Sequence, residues 1–258
     1  MRDGAAMSGH GRVRFEALLG QVLDVLPSPP ASLVDAGGGT GQLAVPLAQL
    51  GYHVTVVDTS AAMLATCAQR AAAEDPALAA HIATVQGDVA EMTALLGPAS
   101  QDAALCHEVV TCVDDPGAVL AALGEVLRPG GVLSLTFANR DWLVQRAGRH
   151  GDYAGALRLL DDAGAPGGRR PPSQRAATVA QLEGQLAKAG LEVAAVYGVS
   201  VFAEGGDDDL DRAALEALLR LERRVAGREP YRSSAQVVHL VARRSRAAEP
   251  LPGSTMRR

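Results

Sequence analysis

Phe15, Leu18, Leu19, Val22, Leu23 and Leu26 recur at helical spacing, and Pro27-Ser28-Pro29-Pro30 ends the run, because proline cannot continue a helix. The pattern predicts a leading helix. Behind it, short β-like apolar runs over 32–35, 54–58, 82–86, 103–107 and 132–137 alternate with helical stretches over 42–50, 61–74, 91–96 and 116–127. Such alternation builds a parallel sheet with helices on both faces. Arg128-Pro129-Gly130-Gly131 predicts a tight turn between the last helix and the last strand of this series. Beyond Asn139 the pattern loosens. It predicts a helix or only a turn over 141–147, a helix over 153–160, a loop over 164–172 and a helix marked by Val179, Leu182, Leu186 and Ala189. A sixth strand over 191–199, an acidic loop over 205–211, an amphipathic helix over 210–225 and a seventh strand over 236–242 complete the series.

The whole reads as an α/β fold of the Rossmann-like kind, a seven-stranded mostly parallel sheet with an antiparallel last strand and helices on both faces. One domain is expected over 1–245, with an insertion on the substrate side around 140–178 and a disordered tail over 246–258. A chain of 258 residues with 48% apolar and 21% charged residues has enough of both for an independent core and a solvated surface. No window approaches the ~20 uninterrupted apolar residues of a membrane span, and the N-terminus lacks a signal-peptide pattern, so a cytoplasmic protein without membrane association is expected. Cys67, Cys106 and Cys112 are odd in number and form no Cys-x-x-Cys pair, which argues against a disulfide framework and a zinc site.

The net charge of −5 is unevenly spread. Residues 1–139 carry five arginines and fourteen acids, a balance of −9, whereas residues 140–258 carry eighteen arginines and Lys188 against fifteen acids, a balance of +4. The second part is the one expected to meet an anion.

The strongest local signal is Val34-Asp35-Ala36-Gly37-Gly38-Gly39-Thr40-Gly41, a strand running into a glycine turn that opens a helix. With Gly37 and Gly39 as the first two glycines of a dinucleotide fingerprint, the third position holds Gln42, which speaks against a pyrophosphate ligand. An acid before the first glycine suits a ligand with a positive end. In this fold class that ligand is S-adenosylmethionine, with its ammonium and sulfonium. Asp58 ends the second strand, where a carboxylate accepts hydrogen bonds from ribose hydroxyls; capping the next helix is the competing role. Asp88 and Val89 hold the same place after the third strand and suit an adenine, again with a cap as the alternative. His107 ends the fourth strand at the same edge and has no second metal ligand at a suitable spacing.

Together with Leu127-Arg128-Pro129-Gly130-Gly131-Val132-Leu133, these motifs resemble the class I S-adenosylmethionine-dependent methyltransferases, over nearly the whole chain. More narrowly the sequence resembles the bacterial tRNA 5-carboxymethoxyuridine methyltransferase family, which methylates the carboxylate of a modified wobble uridine. The narrower likeness lies in His107-Glu108-Val109-Val110, Val113-Asp114-Asp115-Pro116, Gly198-Val199-Ser200-Val201-Phe202, Leu221-Glu222, Glu229-Pro230-Tyr231 and the run from Val238 to Arg243. The resemblance implies that Arg14 pairs with the methionine carboxylate, that Gly37 and Gly38 pack on the methionyl part beside Asp35 and Gly39, and that Asp58 holds the ribose. It further implies that Asp88 and Val89 hold the adenine and that His107 lines the cofactor. The family has an aromatic residue where Thr111-Cys112 stands and a basic run before 167–171, departures that touch the substrate side.

Methyl transfer from a sulfonium is an in-line displacement, and a carboxylate acceptor with a reference pKa near ~4 is ionised at neutral pH, so no general base is required and no catalytic residue is singled out. Arg169, Arg170, Arg228, Tyr231 and Arg232 are candidates for the acceptor's anionic groups, each with a solvated surface role as the alternative. Three readings stand: a methyltransferase for modified tRNA, an O- or carboxyl-methyltransferase for a small metabolite, and a non-catalytic cofactor-binding protein.

Overall fold

The computed structural model describes residues 8–161, 176–203 and 210–246. Helix α1 (Gly9–Leu23) begins where the Ser8 side chain accepts the Gly11 N–H and ends three residues short of Leu26. Strand β1 (Ser32–Ala36), helix α2 (Ala44–Gln49), β2 (His53–Asp58), α3 (Ala61–Glu74) and β3 (Ile82–Gln86) follow. Then come α4 (Met92–Leu96), β4 (Gln101–His107), α5 (Pro116–Val126) and β5 (Leu127–Ala138). The described chain closes with α6 (Arg140–Arg149), α7 (Tyr153–Asp161), α8 (Val179–Lys188), β6 (Leu191–Val199), α9 (Arg212–Val225) and β7 (Val237–Arg244).

The seven strands form one sheet in the order β3-β2-β1-β4-β5-β7-β6. Parallel pairing runs from β3 to β5, and β7 lies antiparallel to both neighbours, so the expected Rossmann-like sheet with a reversed last strand is what forms. One apolar cluster joins a sheet face to α5 and α8 through Leu120, Leu123, Leu182 and Leu186; the other joins the opposite face to α1, α2 and α3 through Val22, Leu47 and Leu64. Strand order reverses between β1 and β4, and ligands in such sheets bind in the crevice beyond the carboxyl ends of the strands at that reversal.

One local expectation is corrected. Arg128–Gly131 does not separate α5 from β5: Leu127 already pairs with Gln101 and Val132 with Ala103, so the four residues bulge out of a strand that continues on either side. The helix expected over 141–147 forms and runs slightly longer at both ends. Asn139 caps a ten-residue helix, and buried Arg140 donates to the Ala176 carbonyl, a partner too distant in sequence to be anticipated. The 164–172 loop, most of the 205–211 loop and the 247–258 part of the tail lie outside the described residues.

Candidate active site

At the reversal point a cavity of about 350 Å³ opens between the carboxyl ends of β1 and β4. Arg14, Phe15 and Leu18 of α1 roof it, Asp35, Gly37 and Gly38 supply one wall, and His107, Glu108, Thr136 and Val237 the other. The glycine turn has a steric reason. Gly37 sits at φ +72°, and a Cβ there would overlap the Val109 side chain; a Cβ on Gly38 would stand 2.5 Å from the Asp35 carboxylate. Backbone thus reaches the cavity where any side chain would fill it.

Asp35 is 3% exposed. Burial, reinforced by the charge of Asp58, pushes its carboxyl up to about 7. Asp58 stands at the end of β2, with Oδ2 accepting the Gly39 N–H at 3.1 Å and Oδ1 the Ser60 N–H at 2.8 Å. Its carboxylate therefore locks the glycine turn onto the start of α3, where Ser60 is the cap. Asp88 accepts the Ala90 N–H at 2.9 Å and caps a short 3-10 turn that begins with buried Val89.

Glu108 takes the left-handed conformation, φ +58°, with its N–H bound to the Thr136 carbonyl at 2.9 Å. Held so, its carboxylate meets the Arg14 guanidinium at 2.7 Å across the cavity mouth. Arg14 is where expected, and Glu108 is the partner the sequence left out.

Behind His107 runs a hydrogen-bond chain that periodicity did not reveal. Gln21 Nε2 donates to the Gly198 carbonyl at 3.2 Å, which turns its Oε1 to His239 Nδ1 at 2.9 Å; His239 Nε2 meets Ser134 Oγ at 2.8 Å, and Ser134 Oγ meets His107 Nε2 at 2.9 Å. With neutral rings the directions follow in turn: His239 donates from Nδ1, Ser134 donates to His239, and His107 donates from Nε2 to Ser134. His107 Nδ1 is left as a bare acceptor, buried and without a hydrogen-bond partner. The signal for this chain was a buried serine and a buried histidine among the mostly apolar buried positions of β5 and β7.

Burial lowers His107 to about 4, and burial with the neighbouring His107 charge lowers His239 to about 3. Both rings titrate near 6.5 when unfolded, so the folded chain holds fewer protons in between and loses stability as pH falls below about 6.5. Asp35 works oppositely, because its folded carboxyl keeps a proton up to about 7 that the unfolded chain releases near 3.8. Two groups against one predict that urea-unfolding free energy drops between pH 6.5 and 5 by at most ~1.4 kcal/mol per pH unit, and about twice as steeply in Asp35→Asn. An equal slope in the two proteins would refute the assignment.

Of the anion-binding candidates, Tyr231 lines a separate neighbouring cleft, Arg228 is exposed and Arg232 is paired with Glu229 at 2.6 Å. None lines the cavity between β1 and β4. Arg169 and Arg170 lie outside the described residues. Among the described residues no group of three or more His, Cys, Asp or Glu is placed to hold a metal ion, and no helix is long and apolar enough to cross a membrane.

Residues 34–135 match the family model described as a methyltransferase domain. The tRNA 5-carboxymethoxyuridine methyltransferase of Escherichia coli K12 is 32% identical over 236 residues, covering 90% of this chain and 87% of that protein. A ubiquinone biosynthesis O-methyltransferase of Caulobacter sp. K31 is 35% identical over 132 residues, covering 51% of this chain and 45% of that protein. Among solved structures, an S-adenosylmethionine-dependent methyltransferase of Thermotoga maritima superposes with TM-score 0.59 at 19% identity, covering 92% of this chain and 91% of its own. The [4+2]-cyclase SpnF superposes with TM-score 0.61 at 21% identity, covering 95% of this chain and 86% of its own.

Proposed function

The chain belongs to the S-adenosylmethionine-dependent methyltransferases, in the family of the tRNA 5-carboxymethoxyuridine methyltransferases, and from that membership we propose that it methylates the carboxylate of 5-carboxymethoxyuridine in tRNA, in the cytoplasm. The observation that carries the substrate is the extent of the likeness. Similarity to the tRNA enzyme covers 90% of the chain, whereas similarity to the quinone-pathway enzyme covers 51%. Fold cannot choose, since a cyclase shares it.

S-adenosylmethionine is the cofactor, and the residues at the reversal point suit it. Gly37 and Gly38 leave room for the methionyl backbone against the main chain, and Asp35 offers a buried carboxylate to the ammonium. Arg14 takes the cofactor carboxylate in place of Glu108, Asp58 accepts the ribose hydroxyls, and Asp88 with the Val89 N–H meets the adenine. Bound there, the cofactor would supply an electrophilic methyl carbon on sulfur, and the task left to the chain would be to hold an acceptor carboxylate in line with the carbon–sulfur bond.

No proton leaves the acceptor, which is ionised at neutral pH. The hydrogen-bond chain from Gln21 holds His107 in one tautomer, and burial holds it uncharged, so this wall carries no competing cation. Similarity of half the chain to a ubiquinone biosynthesis O-methyltransferase keeps a small-metabolite methyltransferase as the second reading.

Nucleoside mass spectrometry of tRNA from a strain lacking the protein tests the proposal. The methyl ester of 5-carboxymethoxyuridine is expected to vanish and the free acid to accumulate, and the purified protein with S-adenosylmethionine is expected to restore the ester. Its affinity for tRNA should fall steeply as salt rises, from release of phosphate counterions. A methyl ester that persists in the deletion strain overturns the substrate assignment and turns the search to small acceptors.

A further inference from the structure

A second cleft, of about 570 Å³, adjoins the cavity between β1 and β4 and is absorbed by none of the roles above. Phe202, Tyr231, Pro230, Ser233, Gln145 and Arg149 line it. The chain has three phenylalanines, four tyrosines and one tryptophan, yet Phe202 is 44% and Tyr231 41% exposed. Their rings stand 6.0 Å apart at 55°, a wedge open to solvent. What sets them apart from the singly exposed apolar side chains is that the two rings meet over one cleft, a paired apolar surface that suits a partner.

Both rings are held out by dedicated structure. Glu222 of α9 is 2% exposed, and its carboxylate accepts the N–H groups of Val201, Phe202 and Ala203 at 3.0, 2.7 and 2.9 Å. A buried charge is thereby committed to one surface segment, which leaves β6 through Ser200 at φ +58°. On the other side the Tyr231 carbonyl accepts the Ser234 hydroxyl at 3.0 Å, and Arg232 pairs with Glu229. Gly198 is what lets that turn seat on β6, since a Cβ there would stand 2.7 Å from the Ala235 Cβ. Gly198–Phe202, Glu222 and Glu229–Tyr231, scattered in sequence, thus build one pre-formed aromatic cleft.

The segments that flank the cleft and the cavity are linked through Asn139, which follows β5 and donates to the Ser233 and Ala235 carbonyls at 2.9 and 2.8 Å. Ser233 lines one and Val237 the other. Arg149 brings a cation to the cleft from the last turn of α6, next to Arg146, which lies over the Trp142 ring. Exposed rigid rings beside an arginine are the elements that recognise an unpaired base and its phosphate, and RNA loops are read by splaying bases onto such rings.

We propose that this cleft holds the base next to the methylated nucleotide, stacked on Tyr231 and Phe202 with its phosphate at Arg149. The inference rests on the tRNA reading above. Its test compares an anticodon stem-loop carrying 5-carboxymethoxyuridine with the free nucleoside, in wild type, Tyr231→Ala, Tyr231→Phe and Arg149→Gln, with S-adenosylmethionine affinity by calorimetry as the folding control. Tyr231→Ala is expected to raise KM for the stem-loop about tenfold, as loss of one stacked base costs, while kcat, cofactor affinity and turnover of the nucleoside stay unchanged. Tyr231→Phe keeps the ring and should restore KM, and Arg149→Gln should flatten its salt dependence. A stem-loop methylated by Tyr231→Ala at the wild-type KM, or an equal loss on stem-loop and nucleoside, overturns the inference alone. A wild type that neither binds nor methylates the stem-loop overturns the substrate reading and this inference with it.

Discussion

Asp35→Asn is expected to weaken S-adenosylmethionine binding on the order of a hundredfold, because removing one partner of a buried charge pair leaves the other desolvated and uncompensated. The wild-type carboxyl should also leave a signature that simple misfolding would not. Burial holds it up to about 7 in the free protein, and an ammonium placed beside it favours the ionised form, so binding below that pH must expel a proton. Wild-type affinity should therefore rise with pH by up to roughly tenfold per unit and level off above about 7, with one proton released per cofactor at the acid end. The asparagine variant should show neither the slope nor the release. Titration calorimetry at several pH values, in buffers of different ionisation enthalpy, measures both. An asparagine variant that keeps the slope would place the titrating group elsewhere.

What could be read in advance depended on how locally each feature is determined. Helix α3 begins at Ala61 and ends at Glu74 as its apolar spacing predicts, because Ser60 caps it and the apolar stripe of Leu64, Cys67 and Ala71 lies within it. Strands β1 and β4 are buried on both faces and announce themselves as apolar runs. Asp35, Gly37, Gly38 and His107 were legible for a related reason: each sits at a strand's carboxyl end, a position that chain order supplies without side-chain contacts. The chain from Gln21 to His107 was not legible, since it joins α1, β7, β5 and β4 and exists only because β7 inserts between β5 and β6. The substrate-side candidates depend on contacts distant in sequence. Arg232 is occupied by Glu229, and among the described candidates it is Tyr231 that lines a cleft. Glu222 could not have been placed from charge patterning, for it faces inward to hold the Phe202 segment while the other charged residues of its helix are exposed.

Asp58→Ala is the complementary experiment, because Asp58 serves the fold and the ligand with the same two oxygens. Its carboxylate already accepts the Gly39 and Ser60 N–H groups, which fix the turn against α3, and each oxygen keeps a lone pair for a ribose hydroxyl. Alanine removes both sets, and with hydrogen bonds to a charged group each contributing ~1.5–3 kcal/mol, loss of the two ribose bonds should lower affinity by roughly two orders of magnitude or more. The two acids separate by ligand. 5′-Methylthioadenosine keeps the ribose and adenine but has neither ammonium nor carboxylate, so Asp58→Ala should weaken it as much as the full cofactor, whereas Asp35→Asn should leave it nearly untouched. If Asp58 only caps the turn, Asp58→Asn, which retains one acceptor oxygen, should lower the melting temperature less than alanine does and bind both ligands like wild type. A ribose role instead requires that even the asparagine variant lose affinity for both ligands together, since a neutral amide gives up the charge-assisted hydrogen bonds and one of the two acceptor oxygens.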